Sequence, residues 1–167
     1  MTVSTMRFRI LLFAVFSISL TGCLHAQQKV ESEAAVVRFI LQGHDSLKIG
    51  AKTTLRVEVT PKKGWHVYSA LPSEDEAYQP AAFDWGFTSR GFEATPELKE
   101  EGKMTSEFDD IMNGIMRYYK DRVVFSQGIK ITEADIRLEG NFDYLACNDE
   151  KCIMLSAELK LEAKAEE

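Results

Sequence analysis

The stretch Ile136-Arg-Leu-Glu-Gly-Asn-Phe-Asp-Tyr-Leu-Ala-Cys147-Asn-Asp-Glu-Lys-Cys152-Ile-Met-Leu-Ser-Ala-Glu-Leu-Lys-Leu161 alternates apolar and polar residues on both sides of one polar break. Ile136, Leu138, Phe142 and Tyr144 are interleaved with Arg137, Glu139, Asn141 and Asp143; Ala157, Leu159 and Leu161 with Glu158, Lys160 and Glu162. A period of two is that of a strand with one buried and one wet face. Asn148-Asp149-Glu150-Lys151 is turn-like. The predicted unit is a hairpin with Cys147 and Cys152 at its mouth.

The same period recurs upstream. Val37, Phe39 and Leu41 form one set, and Leu55, Val57 and Val59 another. Residues 64–69, 82–88 and 122–127 are shorter candidates. Gly43-His44-Asp45, Pro61-Lys62-Lys63-Gly64 and Ser89-Arg90-Gly91 supply breaks. Seven or eight short strands predict an all-β, antiparallel sandwich. Residues 97–119 fit least well. Phe108, Ile111, Met112, Ile115 and Met116 have a near-helical spacing, so this segment reads as a short helix or as a long loop folded over the sandwich.

Composition agrees with one globular domain. Apolar residues make up 45 % and charged residues 28 %, which excludes extensive disorder. Twenty Lys and Arg against 26 Asp and Glu give a net charge of −6, which disfavours a nucleic-acid partner.

Residues 1–22 read as an export signal. Arg7 and Arg9 precede an apolar run from Ile10 to Leu20, right for a signal but short of the ~20 residues that span a bilayer. Leu20-Thr21-Gly22-Cys23 resembles a lipobox, in which Cys23 is lipidated and becomes the N-terminus. A cut after Ala26 is the other reading. Loss of Arg7 and Arg9 leaves 18 basic residues against 26 acids, a charge of −8. The expected organisation is a lipoprotein signal at 1–22, a linker at 23–34, the domain at 35–163 and a solvated tail at 164–167. The expected location is the periplasm of a Gram-negative bacterium, with a lipid anchor.

Outside the cytoplasm Cys147 and Cys152 can be bridged. Opposed residues of a hairpin have Cα atoms ~4.5–5.5 Å apart, within disulfide range. Three uses remain open. A structural staple would add only ~2 kcal/mol for so short a loop. A zinc site needs further ligands, and His25, His44 and His66 do not pair at ligand spacing. A redox dithiol at a hairpin tip is open to another protein's thiol. No nucleophile elbow, phosphate loop or dinucleotide fingerprint occurs, so no cofactor is expected. His66 reads as a half-buried strand residue, and Asp109-Asp110 as a solvated pair.

Gly64-Trp65-His66-Val67-Tyr68-Ser69, Glu107-Phe108-Asp109 and Tyr144-Leu145-Ala146-Cys147-Asn148-Asp149-Glu150-Lys151-Cys152 together resemble the N-terminal periplasmic domain of DsbD, the thiol:disulfide interchange protein. The resemblance covers about 35–162. It implies an immunoglobulin-like sandwich with a cap loop over the cysteine pair. It implies that Cys152 forms mixed disulfides and Cys147 resolves them. Phe108, beside Glu107, would be the tip of a cap within 104–116, and Tyr68 and Tyr144 would line the site. The implied partners are oxidised periplasmic proteins as acceptors, and a membrane-embedded or thioredoxin-like electron donor on another chain. Ile153-Met154-Leu155 stand where the family often has Pro-Pro. The rival reading is a non-catalytic binding or assembly module whose bridge only pins the hairpin.

Overall fold

The computed structural model describes residues 27–71, 81–109 and 114–167. The export signal, Cys23, Ile111 and Met112 lie outside the described residues. The strands are β1 (Gln27–Glu31), β2 (Ala35–Leu41), β3 (Leu47–Lys48), β4 (Lys52–Pro61), β5 (His66–Tyr68), β6 (Ala82–Trp85), β7 (Phe92–Glu101), β8 (Met104–Asp109), β9 (Gly114–Tyr119), β10 (Val123–Ile131), β11 (Asp135–Cys147) and β12 (Cys152–Glu166). One sheet has the order β1-β2-β4-β10-β7; the other has β3-β12-β11-β5-β9-β8, with β6 also on β11. Among the described residues no helix is long and apolar enough to cross a membrane.

The alternating sets build the core. Val37, Phe39 and Leu41 of β2 face inward with Leu55, Val57 and Val59 of β4. Leu138, Phe142, Tyr144 and Ala146 of β11 meet them from the other sheet, together with Leu159 and Leu161 of β12. Phe142 is central, its ring 5.2 Å from that of Phe125 on β10 and 5.1 Å from that of Phe83 on β6. Gly140 lets β6 approach, because a Cβ there would run into the Asp84 carbonyl.

Three segments differ from expectation. Residues 23–34 contain β1, paired with β2 from Gln27↔Ile40 to Glu31↔Val36. Only Val30 is apolar in that strand, so its pairing is carried by the backbone and leaves no alternating signature. The tail expected at 164–167 is largely β12, which runs to Glu166 and pairs in parallel with β3. The sandwich is therefore not purely antiparallel. The described residues within 97–119 form the end of β7 and the pair β8–β9. Met116 and Tyr118 share one face of β9, which a helical reading obscures.

The two sheets meet along β1 and β12. Glu158 O accepts from Gln28 Nε2 at 2.9 Å, and Lys160 N donates to Gln28 Oε1 at 2.6 Å. One side-chain amide thus satisfies backbone groups on the side of β12 that faces away from β11.

Candidate functional site

Cys147 closes β11, Cys152 opens β12, and the two are register partners. They form a disulfide with Cα atoms 4.0 Å apart. The turn between them is fixed by Asn148. Its Oδ1 accepts from the backbone N of Glu150 at 2.9 Å and of Lys151 at 2.8 Å. Its own N donates to Lys151 O at 2.9 Å. Lys151 Nζ donates to Glu33 Oε2 at 2.9 Å and lies 5.6 Å from the centre of the Trp65 ring. The turn therefore has holding interactions besides the disulfide.

The two sulfur-bearing residues differ in access. Cys147 is 2 % exposed, while Cys152 is exposed. The cause is strand order. Beyond Cys147 lies β5, whose His66 is its register partner, and Tyr68, Met116 and Tyr118 pack into one cluster with it. Beyond Cys152 no strand pairs among the described residues, because β3 meets β12 only at Ala165 and Glu166.

The surroundings of Cys147 are aromatic and polar at once. The His66 ring lies 4.4 Å from that of Tyr118 and 5.4 Å from that of Tyr68. Tyr118 donates its hydroxyl proton to Glu107 Oε2 at 2.6 Å. Burial first, then the Glu107 carboxylate, pushes the Tyr118 pKa up to about 12. Lys120 Nζ sits 5.3 Å from the Tyr118 ring centre. Burial, helped by the Lys120 charge, holds His66 below its ordinary pKa of 6.5, while Asp149 and Glu107 act the other way.

His66 gives a pH dependence of stability. Its folded pKa is lowered, so on acidification the unfolded chain takes up the proton first. Its contribution is retained above about 6.5 and lost as the pH falls below that value. The urea midpoint is expected to fall more for wild type than for His66→Phe between pH 7.5 and 5.5. Equal falls in the two proteins would deny the effect.

Among the residues singled out from sequence, Cys147, Cys152, Tyr68 and Glu107 come together. Tyr144 does not: it is 1 % exposed in the sandwich core, and its hydroxyl lies 3.2 Å from Ser32 Oγ. Alternation along β11 is the reason, because Leu145 and Cys147 share one face while Tyr144 and Ala146 share the other. Phe108 is 61 % exposed and is paired with Ile115, whereas Glu107 is paired with Met116. That register turns Phe108 to the face of β8 opposite Glu107, so it is not brought onto Cys147. His66, Tyr118 and Met116 are the additions. The sequence signal for His66 was only its place in the strand candidate 64–69; the pairing that sets it beside Cys147 comes from the sheet order. No group of three or more His, Cys, Asp or Glu is gathered as a metal site among the described residues.

No family model and no curated protein matches the chain. Among solved structures it is similar to the N-terminal periplasmic domain of ScsB from Proteus mirabilis, with 17 % identity and a TM-score of 0.57. The match covers 81 % of this chain and 51 % of that one, so the chain spans about half the length of that structure. A yeast GGA1 GAE domain matches at 9 % identity and a TM-score of 0.44, covering 79 % of this chain and 95 % of that one. At 17 % identity the likeness to the ScsB domain is one of fold, and the fold is an immunoglobulin-like sandwich.

Proposed function

We propose that this domain is an extracytoplasmic thiol:disulfide interchange module of the DsbD N-terminal type. The observation that carries the reading is the unequal access of its two bonded cysteines, Cys152 exposed and Cys147 at 2 %. A donor thiolate attacks Cys152 Sγ, the Cys147–Cys152 bond breaks, and Cys147 leaves with the electron pair and takes up a proton. A second donor thiol then releases Cys152. The reduced pair runs the same chemistry toward an acceptor: the Cys152 thiolate attacks its disulfide, and Cys147 displaces the acceptor from the mixed disulfide.

The donor in this reading is a membrane-embedded or thioredoxin-like domain, and the acceptor is an oxidised periplasmic protein. The periplasmic setting and a lipid anchor at Cys23 belong to the proposal. They rest on the lipobox-like stretch, and the ScsB periplasmic domain is compatible with that setting. The cap belongs to it as the pair β8–β9, whose Met116 and Tyr118 lie in the Cys147 cluster, with Phe108 at its exposed end as a contact for the partner.

The reduction potential tests the proposal. Structural bridges lie below about −300 mV and working ones above. The expected value is above that limit, and the reduced protein is expected to stay folded. The turn keeps its Asn148 and Lys151 contacts, and the bridge contributes only ~2 kcal/mol. With glutathione disulfide, Cys147→Ser should hold a stable mixed disulfide at Cys152. A potential below the limit with cooperative unfolding on reduction would leave the non-catalytic module as the function.

A further inference from the structure

The redox reading leaves one chemical problem at Cys147. To resolve a mixed disulfide it must become a thiolate, yet it is 2 % exposed among Tyr68, Met116 and Tyr118. Apolar burial raises a thiol pKa and slows ionisation. The residue directly across the strand pair is His66. Opposed strand residues carry their Cβ atoms ~4.5–5.5 Å apart on the same face, close enough for a ring nitrogen to meet Sγ. The ring is held in place by Tyr118 at 4.4 Å and Tyr68 at 5.4 Å.

We infer that His66 is the base that takes the Cys147 proton when the domain resolves a mixed disulfide with its acceptor. This rests on the exchange function proposed above and adds the group that enables its second step. In that step His66 accepts the thiol proton, and Cys147 Sγ forms a bond to Cys152 Sγ. The bond from Cys152 to the partner sulfur breaks, and the partner leaves as a thiolate with both electrons. That thiolate collects the proton from the imidazolium, so His66 ends neutral.

The groups around the ring fit a base. Burial and Lys120 favour the neutral imidazole, which is the form that accepts a proton. Asp149 and Glu107 favour the imidazolium that follows, so the product ion pair is not isolated. Tyr118 is engaged with Glu107 and stays protonated at neutral pH with its pKa near 12. Tyr68 completes the facing groups from β5.

The test separates the two steps. The reduced full chain is mixed with glutathione disulfide, quenched with acid at intervals and read by mass spectrometry for the glutathione adduct. His66→Phe keeps a ring for stacking, and His66→Gln keeps polarity without a base of that strength. Adduct formation at Cys152 should proceed at the wild-type rate in both variants. Adduct decay should slow about tenfold or more at pH 7, a modest share of what a general base supplies. Wild-type decay should be nearly flat from pH 6.5 to 8, while the variants' decay should rise with pH as the thiol ionises unaided. Decay at the wild-type rate with a flat profile in either folded variant overturns the role of His66. A wild-type protein that forms no adduct overturns the exchange function itself.

Discussion

Phe142→Ala should destabilise the domain by about 4 kcal/mol, in the range for a buried phenylalanine. Phe142 is fully buried and sits between the sheets. Its ring touches Phe125 of β10 across the sandwich and Phe83 of β6 beside it. Tyr144 stacks on it along β11 at 6.0 Å. Truncation leaves a void walled by three other rings on three different strands, and strands cannot close it without losing register. For a domain of this length the melting temperature should fall by roughly 10 °C or more. A drop equivalent to less than about 1 kcal/mol, against the 3–5 typical of such truncations, would mean that the site collapses freely.

Glu100→Ala should cost about 3 kcal/mol through polar groups rather than packing. Glu100 lies on β7 of one sheet, and its carboxylate accepts from Ser69 Oγ at 2.5 Å and Ala70 N at 2.8 Å in the chain leaving β5 of the other. The Tyr119 hydroxyl at the end of β9 also bonds it; burial and then this bond raise that phenol's pKa. Ser69 is fully buried and Tyr119 nearly so. Removing the carboxylate leaves three donors facing a gap, and each unsatisfied buried group costs ~1–3 kcal/mol. Water can restore part of that, which sets the expectation below the full sum. Glu100→Gln keeps an acceptor oxygen and should lose about half as much. Denaturant unfolding of both variants checks this, and equal losses would show that the acceptor count is not what matters.

The sandwich could be read from the sequence where strands bury a single face. On β2, β4, β11 and β12 the apolar residues recur at every second position, and the structure uses those registers. The hairpin bearing Cys147 and Cys152 was legible for the same reason. β1 was not: it has one apolar residue, Val30, and so no alternation to read. The site was half legible. Nearness in sequence suggested Tyr144 beside Cys147, but parity along β11 sends the two side chains to opposite faces. Tyr118 and Met116 carried no local mark, because their place beside Cys147 depends on β9 pairing with β5, and that pairing joins segments about fifty residues apart. The Glu100 network was hidden too, since a glutamate among Lys99 and Glu101 reads as surface charge.

The amide of Gln28 has a consequence for how these molecules behave when crowded. β12 is the longest strand and runs near the rim of its sheet, where unpaired peptide groups can recruit a strand from a neighbouring copy. Gln28 donates to Glu158 O and accepts from Lys160 N, so it occupies one peptide's worth of that rim with a group that cannot propagate a ladder. Charged side chains flank the spot at Glu158 and Lys160, themselves ion-paired at 2.6 Å. The rim is thereby interrupted from within the same chain, and crowded copies meet a break at that peptide where an edge strand would otherwise offer a continuous template.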